Sequence, residues 1–251
     1  MLIFEGFYKG RGFVLLETSL MFKTFLILGI ELGIVTFGCL LTLRLAKNAY
    51  LKEAPFLGVS FTGKQNKKGQ LDLQPVDESS SGLRALTIVN MIALFSMVVT
   101  SGISLTVGLL TMTLTSLTLG PLLGFIMLDI DENDGLLALQ LTAMITIGAG
   151  VIGMYSGIDF SFLRGFLFFA LLGLILIRLV MLFTGFASGQ RRLIAICGAA
   201  LFTLFLLFDF ARLAKMQESG VNDWENALQI AISLYLDIIN LLMEILDAMG
   251  N

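Results

Sequence analysis

An all-α integral membrane protein with about seven transmembrane helices is the fold class that this sequence predicts, and three observations predict it. Hydrophobic residues make up 57% of the chain and charged residues 14%, with a mean hydropathy of +0.91, against about 25% charged in an average soluble domain. A soluble chain of 251 residues could bury a large core, but not cover it with so few polar side chains. The apolar residues are also gathered into runs of about 20, the length that a helix needs to cross ~30 Å of hydrocarbon. Finally, Asp209 in LIAICGAALFTLFLLFDFARL and Asp237 in AISLYLDIINLLMEIL stand inside such runs. An acid at a helix centre costs roughly 2.5–3.5 kcal/mol on insertion scales, so both predict a bundle interior or a wet cavity to face.

In chain order, 1–21 is an N-terminal segment and 22–43 the first transmembrane helix. A polar loop, 44–84, separates it from a transmembrane core over 85–250. The apolar stretch 85–128 is too long for one span and suits two with a tight turn, ended by the acidic string DIDEND. Spans at 136–155, 162–186, 193–211 and 230–249 complete the set. The first apolar run starts late and is too long for a signal-peptide core, so no cleavable leader is expected. Lys9, Arg11, Lys23, Arg164, Arg212 and Lys215 gather on one side, and the seven bases from Arg44 to Arg84 on the other, so the positive-inside rule leaves orientation open.

Composition excludes several classes. A net charge of −3 gives no sign of nucleic-acid binding. Cys39 and Cys197 both lie in apolar spans, against a disulfide framework or a zinc site. With no histidine, a response to pH near neutrality must come from carboxylates.

The last span carries a pattern of its own. At 100° per residue, Asn226, Gln229, Ser233, Asp237, Asn240, Glu244 and Asp247 fall within an arc of about 80°. A helix lying on the membrane surface would show such a face, but with Lys and Arg to meet anionic lipid. This face holds acids and no base, which suits the central helix of a bundle, its stripe lining a cavity.

The string Ser233-Leu-Tyr-Leu-Asp237-Ile-Ile-Asn240-Leu resembles the signature of the transmembrane Bax inhibitor motif family, also called the Bax inhibitor-1 family. Leu119-Gly120-Pro121, Asp159-Phe-Ser-Phe-Leu163 and Phe208-Asp209-Phe210 agree with it, in the order seen in bacterial members, over roughly 85–250. The resemblance implies six helices around a central seventh and a pH-sensitive calcium leak channel, with Asp209 and Asp237 as its gating aspartates. It implies calcium as the transported ion rather than a cofactor, and a bacterial inner membrane rather than an organelle. In the bacterial relatives an arginine of the second helix latches the sixth-helix aspartate. Counting back from Pro121 places Val98 there, and no base lies between Ala85 and Leu128, so that latch is absent or replaced; Arg84 is at the wrong depth.

The residues give the chemistry independently. Two carboxyls within a few Å in a low-dielectric site cannot both ionise easily, so the pair shares a proton over a range of pH. Deprotonating both leaves a repelling pair that attracts a hard divalent cation, which makes Asp209 and Asp237 candidate calcium ligands and Asn240 and Glu244 candidates for the ion pathway. The structural alternative is that Asp209 offsets Arg212 one turn away, while Asp237 bonds a neighbouring helix. Glu31 and Arg178 also lie within spans and call for partners. Arg178 is ~25 Å along its helix and Glu244 ~21 Å along the last, so depth favours Glu244 or Asp247 over the aspartate pair, with snorkelling as the alternative.

The acids Asp129, Asp131, Glu132 and Asp134 would concentrate cations at a membrane mouth. They miss an EF-hand, because Gly135 is one place late and Gln140 stands where a bidentate Glu belongs, so a solvated turn is expected. Gly148-Ala-Gly150-Val-Ile-Gly153 matches a dinucleotide fingerprint by letter only. Inside an apolar helix it reads as close helix packing, as do the Gly29/Gly33 and Gly153/Gly157 pairs.

Three functions are consistent with all of this. One is a cation leak channel with a proton-sensitive gate, trafficking calcium ions and protons across the lipid bilayer. Another is a membrane-embedded regulator of a stress response or a membrane protease, contacting membrane protein partners through the polar stretch from Arg44 to Ser81. An intramembrane aspartyl protease also needs two aspartates, but its Gly-x-Gly-Asp element is missing, so no catalytic residue is assigned and no enzyme is expected.

Overall fold

The computed structural model describes residues 18–65, 71–76, 80–130, 132–184 and 187–250. Its elements are α1 (Leu20–Leu51), a hairpin of β1 (Phe61–Gln65) and β2 (Leu71–Pro75), α2 (Ser81–Thr100), α3 (Leu105–Asp129), α4 (Glu132–Tyr155), a 3-10 turn at Phe160–Phe162, α5 (Leu163–Thr184), α6 (Ser188–Glu218) and α7 (Trp224–Gly250). All seven α-helices are long and apolar enough to cross a membrane, and a helix satisfies its backbone internally, as a span in hydrocarbon must.

Polar side chains set where the helices begin. Ser19 accepts a hydrogen bond from the Phe22 N–H at the start of α1, and Ser80 from the Leu83 N–H at the start of α2, satisfying amides that a first turn leaves open. The helices overrun the apolar runs. α1 has 32 residues, ~48 Å, and α6 has 31, so both extend beyond a ~30 Å hydrocarbon layer.

The most buried helix is α7, which packs on α1, α3, α4 and α6. Leu228, Leu234, Tyr235, Leu241 and Leu246 are almost wholly enclosed there, which rules out the surface-helix alternative. α2 and α5 are peripheral, seated on α3 and α6. Phe95 of α2 is 71% exposed and Phe169 of α5 the same, as lipid-facing side chains should be. Asn90 is the exception on α2: buried, its Nδ2 donates to Thr118 Oγ1 of α3 at 2.9 Å, a polar tie of the kind that joins helices where no hydrophobic drive exists.

The hairpin is an element that the apolar pattern does not announce. β1 and β2 pair antiparallel from Phe61↔Pro75 to Gln65↔Leu71. Phe56 and Phe61 stack on Phe125 of α3 with ring centroids at 5.8 and 6.5 Å, so the polar loop is folded onto the end of the bundle.

Close helix contact falls on glycines, though not all those that the spacing suggested. A Cβ at Gly153 would come within 2.8 Å of the Leu207 carbonyl oxygen on α6, as expected. Gly29, Gly33 and Gly148 have nothing within 4 Å, and Gly157 sits in a turn with φ +68, so these readings are corrected: small-residue spacing alone does not say which face meets a neighbour. The tight crossing of α1 and α3 uses Gly38, Gly120 and Gly124 instead, where a Cβ at Gly120 would lie 2.7 Å from the Val35 carbonyl oxygen. Gly120→Ala is therefore expected to lower thermal stability in detergent, by about 1–3 kcal/mol for overpacking. Gly29→Ala should leave stability unchanged or raise it; equal effects at both positions would refute the assignment.

The acidic loop is a tight connection. α3 ends at Asp129 and α4 begins at Glu132, so Asn133 and Asp134 are helical and no EF-hand loop forms. Asp131 and the side chains of Glu132 and Asn133 lie outside the described residues.

Candidate functional site

Asp209 comes from α6 and Asp237 from α7, helices that run against each other along much of their length. Asp209 is 6% exposed and Asp237 7%, and their carboxyls lie within hydrogen-bonding reach of one another. Asp237 Oδ2 receives no hydrogen bond from an N–H or hydroxyl among the described residues. A carboxyl pair so placed is either joined by a proton or repels. Arg212, one turn along α6, is within electrostatic reach of Asp209, so the neighbour named by the structural alternative is present as well.

Two other predicted residues continue from Asp237 along α7. Asn240 is half-buried, and Glu244, 9% exposed, is ~10 Å beyond Asp237 at 1.5 Å per residue. There α5 enters: the Arg178 guanidinium donates to Glu244 Oε2 and, at 2.6 Å, to Asp247 Oδ2. Depth arithmetic named these two acids as alternatives, and the fork of the guanidinium takes both. Snorkelling away from the bundle is thereby overturned. The Glu244 carboxyl is seated against Gly198 of α6, where a Cβ would fall 2.5 Å from Glu244 Cδ. With Asp129, these charges line a cavity of about 500 Å³ at the far end of α7 from Trp224.

Glu31 does not join Arg178. It is 3% exposed on α1, and its Oε1 accepts from Thr113 Oγ1 of α3 at 2.7 Å while Oε2 has no hydrogen-bond partner among the described residues. α1 lies on α3 and α7, whereas α5 reaches the bundle past α6, so the two charges sit on different sides. Thr111, Thr115 and Thr118 turn their hydroxyls onto their own helix carbonyls, but Thr113 does not. Nearby, Ser116 Oγ donates to Tyr235 Oη at 3.2 Å, and Tyr235 stands within electrostatic reach of Glu31. Sequence reasoning missed this second polar cluster, since Thr and Ser in an apolar helix most often bond their own backbone.

No group of three or more His, Cys, Asp or Glu side chains converges as metal ligands among the described residues. Calcium takes 6–8 oxygens in a dedicated site. The aspartate pair offers two carboxyls, fewer oxygens than such a site uses. Cys39 is buried, Cys197 exposed, and both are free.

Comparison with known proteins bears on the family of the chain. The family model described as inhibitor of apoptosis-promoting Bax1 matches residues 17–251. An uncharacterized membrane protein of Vibrio cholerae is 34% identical over 113 residues, 45% of this chain and 48% of the relative. A protein of Helicobacter pylori is 33% identical over 141 residues, 55% and 56% of the two chains, and LIFEGUARD 1 of Arabidopsis thaliana is 29% identical over 114, 44% and 46%. The matched stretch spans about half the length of these curated relatives. With seven apolar helices among the described residues and a family match over nearly its whole length, this chain is an integral multi-pass membrane protein that belongs to the Bax inhibitor-1 family.

Proposed function

We propose that this protein is a pH-sensitive leak pathway for calcium and other cations, gated by the Asp209–Asp237 pair. The observation that carries the reading is the meeting of two buried carboxyls from separate helices within an apolar bundle, in a chain without histidine. Protonated, the pair is hydrogen-bonded and holds α6 against α7. Ionised, it repels and offers hard oxygen ligands to a cation. Asn240 and Glu244 extend that line along α7 toward a mouth where Asp129, Glu244 and Asp247 outnumber Arg178, an acidic excess that raises the local cation concentration. Few ligands at each step suit conduction, which needs binding weak enough to release the ion.

In this reading calcium and protons are the traffic, no cofactor is needed, and the host is the inner membrane of a bacterial cell. Calcium uptake into dye-loaded liposomes over a pH series tests it. Uptake no faster than into protein-free liposomes at every pH would sink the channel and leave the regulator reading. One observation favours that second reading: among the described residues the sheet has two strands and no third, and an unpaired strand edge is where another chain can add.

The stripe on α7 gives a further test. Ser233 and Asn240 are half-buried and Ile238 is buried. After removal of Cys39 and Cys197, cysteines at Ser233 and Asn240 should react with a water-soluble thiol reagent and one at Ile238 should not. Labelling at Ser233 and Asn240 should fall when the gate is held shut at low pH; labelling indifferent to pH and to Asp237→Asn would refute a gated cavity.

A further inference from the structure

A cleft of about 420 Å³ opens where α4 and α6 end and α5 begins, on the side of the bundle away from the Arg178 cluster. Its walls carry Arg164, Arg212 and Lys215 beside the apolar side chains of Ile158, Phe160 and Phe208. The charges do not simply cancel. Lys215 Nζ is 3.5 Å from Asp159 Oδ2. The Asp159 carboxyl is held below the usual carboxylate range, first by the Ser161 backbone N–H and less by Lys215, so this pair is ionic at neutral pH. That leaves Arg164 and Arg212 against Glu218 in the cleft, with Asp209 within electrostatic reach of Arg212 from inside the bundle. Arg164 makes no ion pair among the described residues.

Position says what kind of anion fits. Ile158 is 54% exposed, Phe162 72%, Phe166 58% and Tyr155 75%. A rim of exposed aromatic and aliphatic side chains at a helix end belongs at the boundary of hydrocarbon and water. A ligand there meets bases on its polar end and apolar surface along its length, and guanidinium is the side chain suited to grip a phosphodiester through two parallel N–H bonds.

We infer that this cleft binds the headgroup of an anionic phospholipid, its phosphodiester between Arg164 and Arg212 and its acyl chains along Phe162 and Phe166. Arg212 is also the base within reach of Asp209, so a lipid held there lies next to the aspartate pair. Binding itself does not depend on the channel reading.

The test uses the full-length chain, delipidated in a neutral detergent and titrated with phosphatidylglycerol or phosphatidylcholine, with bound lipid counted by native mass spectrometry and stability followed by thermal unfolding. Phosphatidylglycerol should bind at least about tenfold more tightly than phosphatidylcholine, a ratio of about 1.4 kcal/mol. Arg164→Gln should remove most of that preference without changing the stability of the lipid-free protein. Arg191→Gln, at the other end of α6, should keep it. Equal binding of the two lipids, or a preference that survives both Arg164→Gln and Arg212→Gln, would overturn the inference. Equal protection by inorganic phosphate or glycerol phosphate at the same concentration would also overturn it, by making the ligand a soluble anion.

Discussion

Calcium uptake into liposomes carrying this protein is expected to rise as pH is raised between about 5 and 8, and Asp237→Asn to flatten that rise. The sign follows from the pair. At low pH a proton bridges the carboxyls of Asp209 and Asp237 and α6 stays against α7. As pH rises the proton leaves, two charges face each other in a buried site, and both the repulsion and the attraction for a cation favour the open state. One titrating proton allows at most about a tenfold change per pH unit, so a steep profile would need a second group. Asparagine keeps the volume and the hydrogen bond but cannot ionise, so flux in Asp237→Asn should stay near its low-pH level throughout. Asp209→Asn should flatten the profile too, while freeing Arg212 from its acidic neighbour. An unchanged pH profile in both variants would rule out the gate.

The second large effect is expected at Arg178. Its side chain is 33% exposed, Asp247's 32%, and Glu244's only 11%. Arg178→Leu strands Glu244 in a buried site beside Asp247, and loss of one member of a buried pair costs ~3–5 kcal/mol. Partial exposure of the arginine and of Asp247 puts the value toward the lower end. Glu244→Leu should cost less, because Arg178 keeps Asp247 at 2.6 Å. The double variant should be more stable than Arg178→Leu alone, since replacing both partners by apolar residues is often close to neutral. Thermal unfolding in detergent over the full cycle gives the coupling, expected at about 0.5–3 kcal/mol. Strict additivity would mean that the guanidinium does not hold Glu244 in the membrane.

Much of this was legible because the bilayer leaves a chain few choices. A backbone in hydrocarbon must be helical unless it closes into a barrel, so seven spans follow from apolar runs and hydropathy. Depth along a helix is linear in residue number, which is how Arg178 could be matched to Glu244 and Asp247 before any fold was known. Acids in a hydrocarbon layer need a reason wherever they occur, so Asp209, Asp237 and Glu31 stood out equally. Azimuth is different. Which way a helix turns its side chains, and which neighbour it meets, depends on packing against all the others. Only the folded bundle could therefore bring Asp209 to Asp237, send Glu31 to Thr113 rather than to Arg178, and put the α1–α3 crossing on Gly38, Gly120 and Gly124 rather than on Gly29 and Gly33. The helix ends that overrun the apolar layer, and the hairpin held by Phe56 and Phe61 on Phe125, lie beyond the hydrocarbon. There the rule that makes spans readable no longer acts, and long-range contacts set the structure instead.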